Sequence, residues 1–291
     1  METLLSVGID IGTTTTQLVI SRLTLQNTRS SFSVPSFEIA QKEVLFRSRI
    51  HFTPLLSDTE IDTQGVREIV EAEYQASGYQ KSDIQTGAVI ITGETARKEN
   101  ARQVLDALAD FAGDFVVATA GPALESVLAG KGAGAEHYSK THGCAVLNLD
   151  IGGGTTNLAL FENGDLRDTG CLNVGGRLVK VDEAGFLTYL SPVLRPFFDL
   201  TVGQRVTEAL LEPVAQLLAE VLEEAVGLRP PSGLLEQFIT DKNVTLSRPP
   251  LLSFSGGVAD LISPDAQPPF RYGDLGVLLG RAIYRSRLCA G

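Results

Sequence analysis

The sequence predicts an α/β protein built from two similar halves. A thirteen-residue segment at 8–20, GIDIGTTTTQLVI, returns without gaps at 148–160 as NLDIGGGTTNLAL, with Asp, Ile, Gly, Thr, Thr and Leu shared at six positions. Short apolar runs of strand length alternate with stretches of helical period in each half. The length of 291 residues suits two cores of about 150 residues better than one.

Residues 4–10 and 16–23 read as strands joined by an IGTT turn. The segment 26–52 is strand-like in places but poorly periodic. TQGVREIVEAEY, 63–74, reads as an amphipathic helix. GAVIIT, 87–92, reads as a buried strand, ARKENARQVLDALADFA, 96–112, as a helix ending at Gly113, and DFVVATA, 114–120, as a further strand. PALESVLAG, 122–130, has Pro at its first turn and Gly at its end, as a short helix does. GKGAGAEHYSKTHG, 130–143, is glycine-rich and reads as flexible, which places the domain boundary near its end: 1–143 and 144–291.

The second half restarts in the same way, with strand CAVLNLD, turn IGGGTT, strand NLALF, turn ENGD and strand LRDTGCLNVGG. Residues 202–227 have helical periodicity, with a kink or break expected at Pro213. The acidic end of that stretch, AEVLEEAVG, reads as a solvated face and, at most, a partner-docking region. LLSFSGGVADLI, 251–262, reads as strand, Gly-Gly turn and helix, and 272–286 as a final helix.

Composition narrows the function. With 43% hydrophobic and 20% charged residues the chain is globular, and its formal charge of −11 repels nucleic acid and anionic lipid. No stretch approaches the ~20 apolar residues of a membrane span. The start METLLSVGID has no basic or signal-type apolar region, so a cytoplasmic location is expected. Cys144, Cys171 and Cys289 make no paired motif and read as reduced thiols. His51, His137 and His142 have no metal-binding spacing, and the latter two are expected in solvent. Arg97, Lys98 and Arg102 read as a solvated helix face.

The twin turns are the chemical clue. A Gly/Thr turn presents consecutive N–H groups with little bulk in front of them, which suits a phosphate chain. Gly12, Thr13, Thr14 and Thr15 form one such set, and Gly152, Gly153, Gly154, Thr155 and Thr156 the other. Asp10 and Asp150 end the strands leading into them and are the candidate catalytic residues. Carboxylates there would repel phosphate unless Mg²⁺ lies between, usually through coordinated water. One Asp at one turn is most often a turn-former, and matched context in two turns argues against that for the pair. Ser255, Gly256, Gly257 and Val258 form a third element, a turn whose backbone could approach an adenine or ribose.

In their order, GIDIGTTTT, LDIGGGTTNLAL and FSGGVAD resemble the two phosphate loops and the adenosine loop of the superfamily of actin, the heat-shock chaperones and the sugar kinases. The resemblance implies an actin-like ATPase fold, two related ribonuclease-H-like domains around a nucleotide cleft, with ATP and Mg²⁺ as cofactors. ATAGPALESVLAG and YGDLGVLLGRAI resemble the two domain-joining helices. Within that superfamily ITGETARKENARQV, ATAGPALES and LDIGGGTTNLALF resemble the reactivating factors of ethanolamine ammonia-lyase. This implies a chaperone-like partner of that adenosylcobalamin enzyme, releasing damaged cobalamin so that intact cofactor can bind. It leaves homo-oligomerisation and association with a bacterial microcompartment open.

Two departures stand out. Gly121, before Pro122, occupies the place where heat-shock chaperones carry a Glu, so slow hydrolysis is expected, with Asp150 or Glu94 placing the water; Glu125 lies one turn later. The sequence also stops at LCAG, earlier than the reactivase family leads one to expect. A small-molecule kinase of the same fold is the alternative, needing a catalytic Asp for which Asp58, Asp62 and Asp83 are the candidates. An actin-like assembly ATPase is the other.

Overall fold

The computed structural model describes residues 2–12, 15–27, 37–57, 60–92, 100–109, 115–119, 122–265 and 267–289. Two compact units make up the chain, Met1–Gly121 and Pro122–Gly291.

The first unit runs β1 (Glu2–Ile11), β2 (Thr15–Asn27), β3 (Phe37–Arg47), β4 (His51–Phe52), β5 (Leu55–Ser57), β6 (Glu60–Ile61), α1 (Thr63–Ser77), β7 (Thr86–Ile91), α2 (Ala101–Ala109) and β8 (Phe115–Thr119). Its main sheet has the order β3-β2-β1-β7-β8, with β4 also paired to β2. The β1–β2 and β2–β3 pairs are antiparallel, while β7 and β8 continue the sheet in parallel. Along β1 the side chains of Val7, Ile9 and Ile11 are buried, and Gly8 and Asp10 are exposed. This period of two turns one face toward α1 and α2, where Val66, Val70, Val104 and Leu108 complete the core. Asp62 starts α1 by accepting the Gly65 N–H (2.9 Å), and Gly78 ends it in the left-handed conformation (φ 76°). The poorly periodic 26–52 stretch contains a long strand, β3. Register shifts at Ile20/Ser21 and Thr24/Leu25 break the alternation that would have revealed the pairing.

The second unit runs α3 (Pro122–Gly132), α4 (Ala135–His142), β9 (Ala145–Ile151), β10 (Thr156–Glu162), β11 (Asp165–Leu172), β12 (Val179–Val181), β13 (Leu187–Leu190), α5 (Glu208–Ala225), β14 (Leu251–Ser255) and α6 (Gly276–Arg285). Its main sheet has the order β11-β10-β9-β14, antiparallel at β9–β10–β11 and parallel at β9–β14. In both sheets the first three strands of the unit form an antiparallel meander, and a later strand joins the first of them in parallel: β7 beside β1, β14 beside β9. The second sheet is covered on both faces. Leu147, Leu149, Ile151, Leu158 and Leu160 join the large core with α5 and α6. Val146, Ala159 and Phe161 pack with Ala135 of α4 on the other face. Strands buried on both faces read as continuous apolar runs, which is how CAVLNLD and NLALF look.

Several expectations change. The units divide between Gly121 and Pro122, upstream of 143/144. The glycine-rich 130–143 stretch is not a flexible linker, because it folds into α4 between left-handed Gly134 and Gly143 and packs on β9 and β10. Gly130 does not end α3; a Cβ there would lie 2.6 Å from the ring of buried Phe161, so it is a close-approach position inside the helix. Pro213 does not break α5, which runs from Glu208 to Ala225. The end of α5 is not a solvated acidic face: Glu223 and Glu224 are buried, Glu223 accepting the Arg287 N–H (2.8 Å) and Glu224 the Ser232 N–H and hydroxyl (both 2.8 Å). The stretch after Gly257 makes only a single 3₁₀ turn, Ala259–Leu261, not a helix.

Candidate functional site

Both Asp-Ile-Gly hairpins have the same construction. In the first, Asp10 pairs with Gln17 and Ile11 with Thr16; in the second, Asp150 pairs with Asn157 and Ile151 with Thr156. Each loop is closed by the N–H of its first glycine donating to the carbonyl of its last threonine: Gly12 to Thr15 at 2.9 Å, and Gly152 to Thr155 at 2.9 Å. The threonine after the loop is buried in both, and its hydroxyl is spent on the protein. Thr16 Oγ1 lies 3.1 Å from Thr53 Oγ1, and Thr156 Oγ1 donates to the Val174 carbonyl at 2.7 Å. Thr156 is therefore a buried scaffold residue rather than a donor turned toward a ligand.

The first glycine's carbonyl is also held in both loops. Thr53 Oγ1 donates to Gly12 O (2.8 Å), and the Gly176 N–H donates to Gly152 O (3.1 Å). Loop 2 has a second such bond, from Arg177 N–H to Gly153 O at 2.6 Å. The segment carrying these donors, 175–177, lies so close beneath the loop that a Cβ on Gly175 would fall 2.4 Å from Gly153 O. It is anchored behind by Leu275 N–H donating to Gly176 O (2.8 Å) and by the Arg177–Asp274 ion pair (3.3 Å). Burial lowers the Arg177 pKa and raises that of Asp274, so desolvation opposes both charges. The pair therefore fixes position more than it stabilises.

With its carbonyls tied from behind, loop 2 presents its amides outward. The N–H groups of Gly153, Gly154 and Thr155 have no hydrogen-bond acceptor among the described residues. Nothing lies within 4 Å of a Cβ built on Gly154. Three successive amides without acceptors on a half-exposed turn are donors an anion can take. Thr13 and Thr14 lie outside the described residues, as do Glu94, Arg97, Lys98 and Gly121.

The carboxylates differ. Asp10 is exposed and accepts from Thr92 Oγ1 (3.2 Å), which follows β7. Asp150 is half-buried and accepts from Ser255 Oγ (2.8 Å); burial pushes its carboxyl above the ordinary Asp range against the lowering effect of that hydroxyl. Opposite Asp150 in the ladder stands Asn157, whose Oδ1 is buried without a hydrogen-bond partner. A carboxylate and an orphaned amide oxygen are hard donors of the kind Mg²⁺ or its bound water takes. Among the described residues no group of three or more His, Cys, Asp or Glu could hold a metal, so a cation here needs oxygens from its ligand and from water.

The third element is tied to the second loop. Gly256 has φ 86°, and a Cβ on it would lie 2.5 Å from Ile151 O. The Val258 N–H donates to that carbonyl (3.1 Å), and Val258 is buried. Gly257 is exposed, with open space where a Cβ would stand. Thus Ser255, Gly256 and Val258 are locked to the end of β9, and Gly257 offers bare backbone.

Sequence reasoning missed Thr53, Thr92, the 175–177 strap with Asp274, and Asn148 beneath Asp150. Only the strap had a legible cue, two glycines followed by Arg. Of the kinase candidates, Asp62 caps α1 and Asp83 accepts the Gln80 N–H (2.8 Å) in a turn, while Asp58 lies outside the described residues. His137 and His142 are exposed as expected, and His51 instead pairs with buried Glu73 (2.6 Å). Cys144, Cys171 and Cys289 form no disulfide among the described residues. No described helix is long and apolar enough to cross a membrane.

Residues 2–291 match the family described as ethanolamine utilisation protein EutA. The chain is 40% identical over 289 residues to the ethanolamine ammonia-lyase reactivase EutA of Salmonella typhimurium, and equally to that of Escherichia coli. Each alignment covers 97% of this chain and 61% of the relative, so the chain spans about three-fifths of the length of the curated relatives it matches. Among solved structures, an Aquifex aeolicus member of the Ppx/GppA family aligns with TM-score 0.52 and 15% identity, over 90% of this chain and 69% of that one. That likeness carries the fold alone, which is of the actin-like ATPase class.

Proposed function

The chain belongs to the ethanolamine utilisation protein EutA family, and from that premise we propose that it is an ATP-dependent reactivase of an adenosylcobalamin-dependent ethanolamine ammonia-lyase. The observation that carries the reading is the matched pair of hairpins, closed by the same Gly-to-Thr bond, with three free amides on the second. In this reading both loops grip one Mg²⁺-bearing ATP. Gly12 to Thr15 and Gly152 to Thr155 hold the phosphates, Ser255 to Val258 flank the adenosine, and Asp10 and Asp150 receive metal-bound water. When bound, Mg-ATP supplies a γ-phosphate whose contacts are made before hydrolysis and lost after it. The loops respond by exchanging two states that present different surfaces to the lyase.

The energetics are adequate. Moving such a switch from mostly one state to mostly the other takes ~5.5 kcal/mol of differential affinity. A few charge-assisted bonds of ~1.5–3 kcal/mol each supply it. Turnover is slow, because Gly121 brings no carboxylate to the place where heat-shock chaperones carry theirs. The work is done in the cytoplasm or a microcompartment. The test is to inactivate the lyase with cyanocobalamin and add this protein with adenosylcobalamin, ATP and Mg²⁺. Recovery that requires ATP and Mg²⁺ is expected. Equal recovery without nucleotide, or none with it, removes the proposal.

A further inference from the structure

Asn148 is the anomaly of the second unit. It lies in β9 within the run AVLNL, every residue of which is buried, and its own exposure is 0%. An amide there costs free energy unless it is hydrogen-bonded. Its bonds go to the neighbouring strand: Asn148 Nδ2 donates to Ser255 Oγ (3.0 Å), and Ser253 Oγ donates to Asn148 Oδ1 (3.1 Å). Ser255 Oγ in turn donates to Asp150 Oδ1 (2.8 Å). The direction is set from the carboxylate outward. Ser255 donates its hydroxyl hydrogen bond to Asp150, receives one from Asn148, and leaves the Asn148 oxygen to Ser253.

Strand register makes the relay possible. β14 runs parallel to β9 with Ser253 beside Asn148 and Ser255 beside Asp150, so all four side chains share one face of the sheet. Ser255 is also the last residue before Gly256, whose left-handed turn begins the backbone that packs on Ile151. One hydroxyl thus touches the carboxylate expected to receive metal-bound water and leads directly into the loop expected to flank adenosine.

We propose that Asn148 is a positioning residue, acting through Ser255 to couple the orientation of Asp150 to the adenosine-side loop, so that Mg²⁺ tightens nucleotide binding only while the relay is intact. The proposal rests on the reading of this site as a Mg-nucleotide site. Asn148→Leu keeps the size of the side chain and removes the relay's centre. Ser255→Ala removes the hydroxyl that meets Asp150. Ser253→Ala removes the outermost bond, and its small change in volume guards against loss of the fold.

The experiment is calorimetric titration of the full chain with a non-hydrolysable ATP analogue, with and without Mg²⁺, on wild type, the three variants and the Asn148→Leu/Ser255→Ala double variant. Thermal melts establish that each is folded. Asn148→Leu is expected to lose roughly tenfold of the Mg²⁺-dependent gain in affinity, the effect of one hydrogen bond to a charged group, with Mg²⁺-free affinity little changed. Ser253→Ala loses a smaller part of the gain. The double variant is no worse than Ser255→Ala, since both act through one path. Equal loss with and without Mg²⁺, or additive losses, would mean a merely structural Asn148 and overturns the proposal. A wild type with no Mg²⁺-dependent gain overturns the nucleotide-site reading as well, whereas a normal gain in wild type and in Asn148→Leu alike overturns this inference alone.

Discussion

Loop 1 and loop 2 are closed by the same bond at the same 2.9 Å, yet β1, which leads into one, is buried on alternate residues, and β9, which leads into the other, is buried almost throughout. The consequence reaches the carboxylates. Asp10 ends a half-exposed strand, is itself exposed, and accepts from the Thr92 hydroxyl. Asp150 ends a covered strand, and burial raises its pKa. The supports differ in the same sense: loop 1 is steadied by the side chain of Thr53, loop 2 by the backbone strap 175–177 locked to Asp274. Two copies of one hairpin have thus come to rest on different supports, a side-chain hydroxyl at loop 1 and a backbone strap at loop 2. A loop held through its backbone keeps its amides aimed before ligand arrives, which is the condition for strong electrostatic binding.

The sharpest way to break the contrast is at the strap. Gly175→Ala places a methyl 2.4 Å from Gly153 O, so loop 2 must move. Nucleotide affinity is expected to fall on the order of a hundredfold, as for ~1 Å misplacements at reacting groups, and stability by about 1–3 kcal/mol. Gly8→Ala in β1, where a Cβ meets nothing within 4 Å, changes neither appreciably. Calorimetry and denaturant melts on the two proteins read both effects. Removing the anchor with Asp274→Ala takes from the partly buried Arg177 its ion-pair contact with Asp274 and leaves the Gly276 N–H without that acceptor. A loss of about 3 kcal/mol is expected in urea unfolding.

The carboxylates sharpen the comparison further. Because its folded-state pKa is raised, Asp150 binds its proton more tightly in the native state, and its stabilising contribution is full below the unfolded value. It is lost as pH rises from the ordinary Asp range through the raised value. Asp150→Asn is therefore expected to melt above wild type at neutral pH without ligand and to converge with it in acid. A neutral-pH melt of Asp150→Asn at or below wild type would contradict this account of the half-buried carboxylate. The smallest effect is expected at Thr53→Val, which removes the hydroxyl bond to Gly12 O and the contact with Thr16. A loss of about 1 kcal/mol is expected, readable by urea unfolding, with loop 2 variants unaffected.

What the sequence revealed is what local pattern can encode. The hairpins were legible because Asp, Ile, Gly and Thr recur in fixed order, and the same residues set the turn in both places. The helix read over 63–74 was legible from its apolar period, although only the structure shows its Asp62 cap, its run to Ser77 and its Gly78 stop. The strap, Thr53 and Thr92 were not legible, because each meets its loop through strand pairing or a chain reversal that no short window contains. Asn148 was hidden for the opposite reason: one polar letter in an apolar strand looks like noise until the register puts Ser253 and Ser255 beside it. Glycine misled twice. In 130–143 it marked the ends of α4 rather than a linker, and at Gly130 it marked close approach to Phe161 rather than a helix end.

Mg-nucleotide binding by the two loops is the central proposal, and titration of Mg-ATP analogue into wild type, Asp10→Asn and Asp150→Asn tests it most directly. One nucleotide per chain is predicted, with each single substitution weakening that same binding event by roughly tenfold or more. Two independent sites, or an Asp10→Asn protein that binds as wild type does while Asp150→Asn fails, would contradict it.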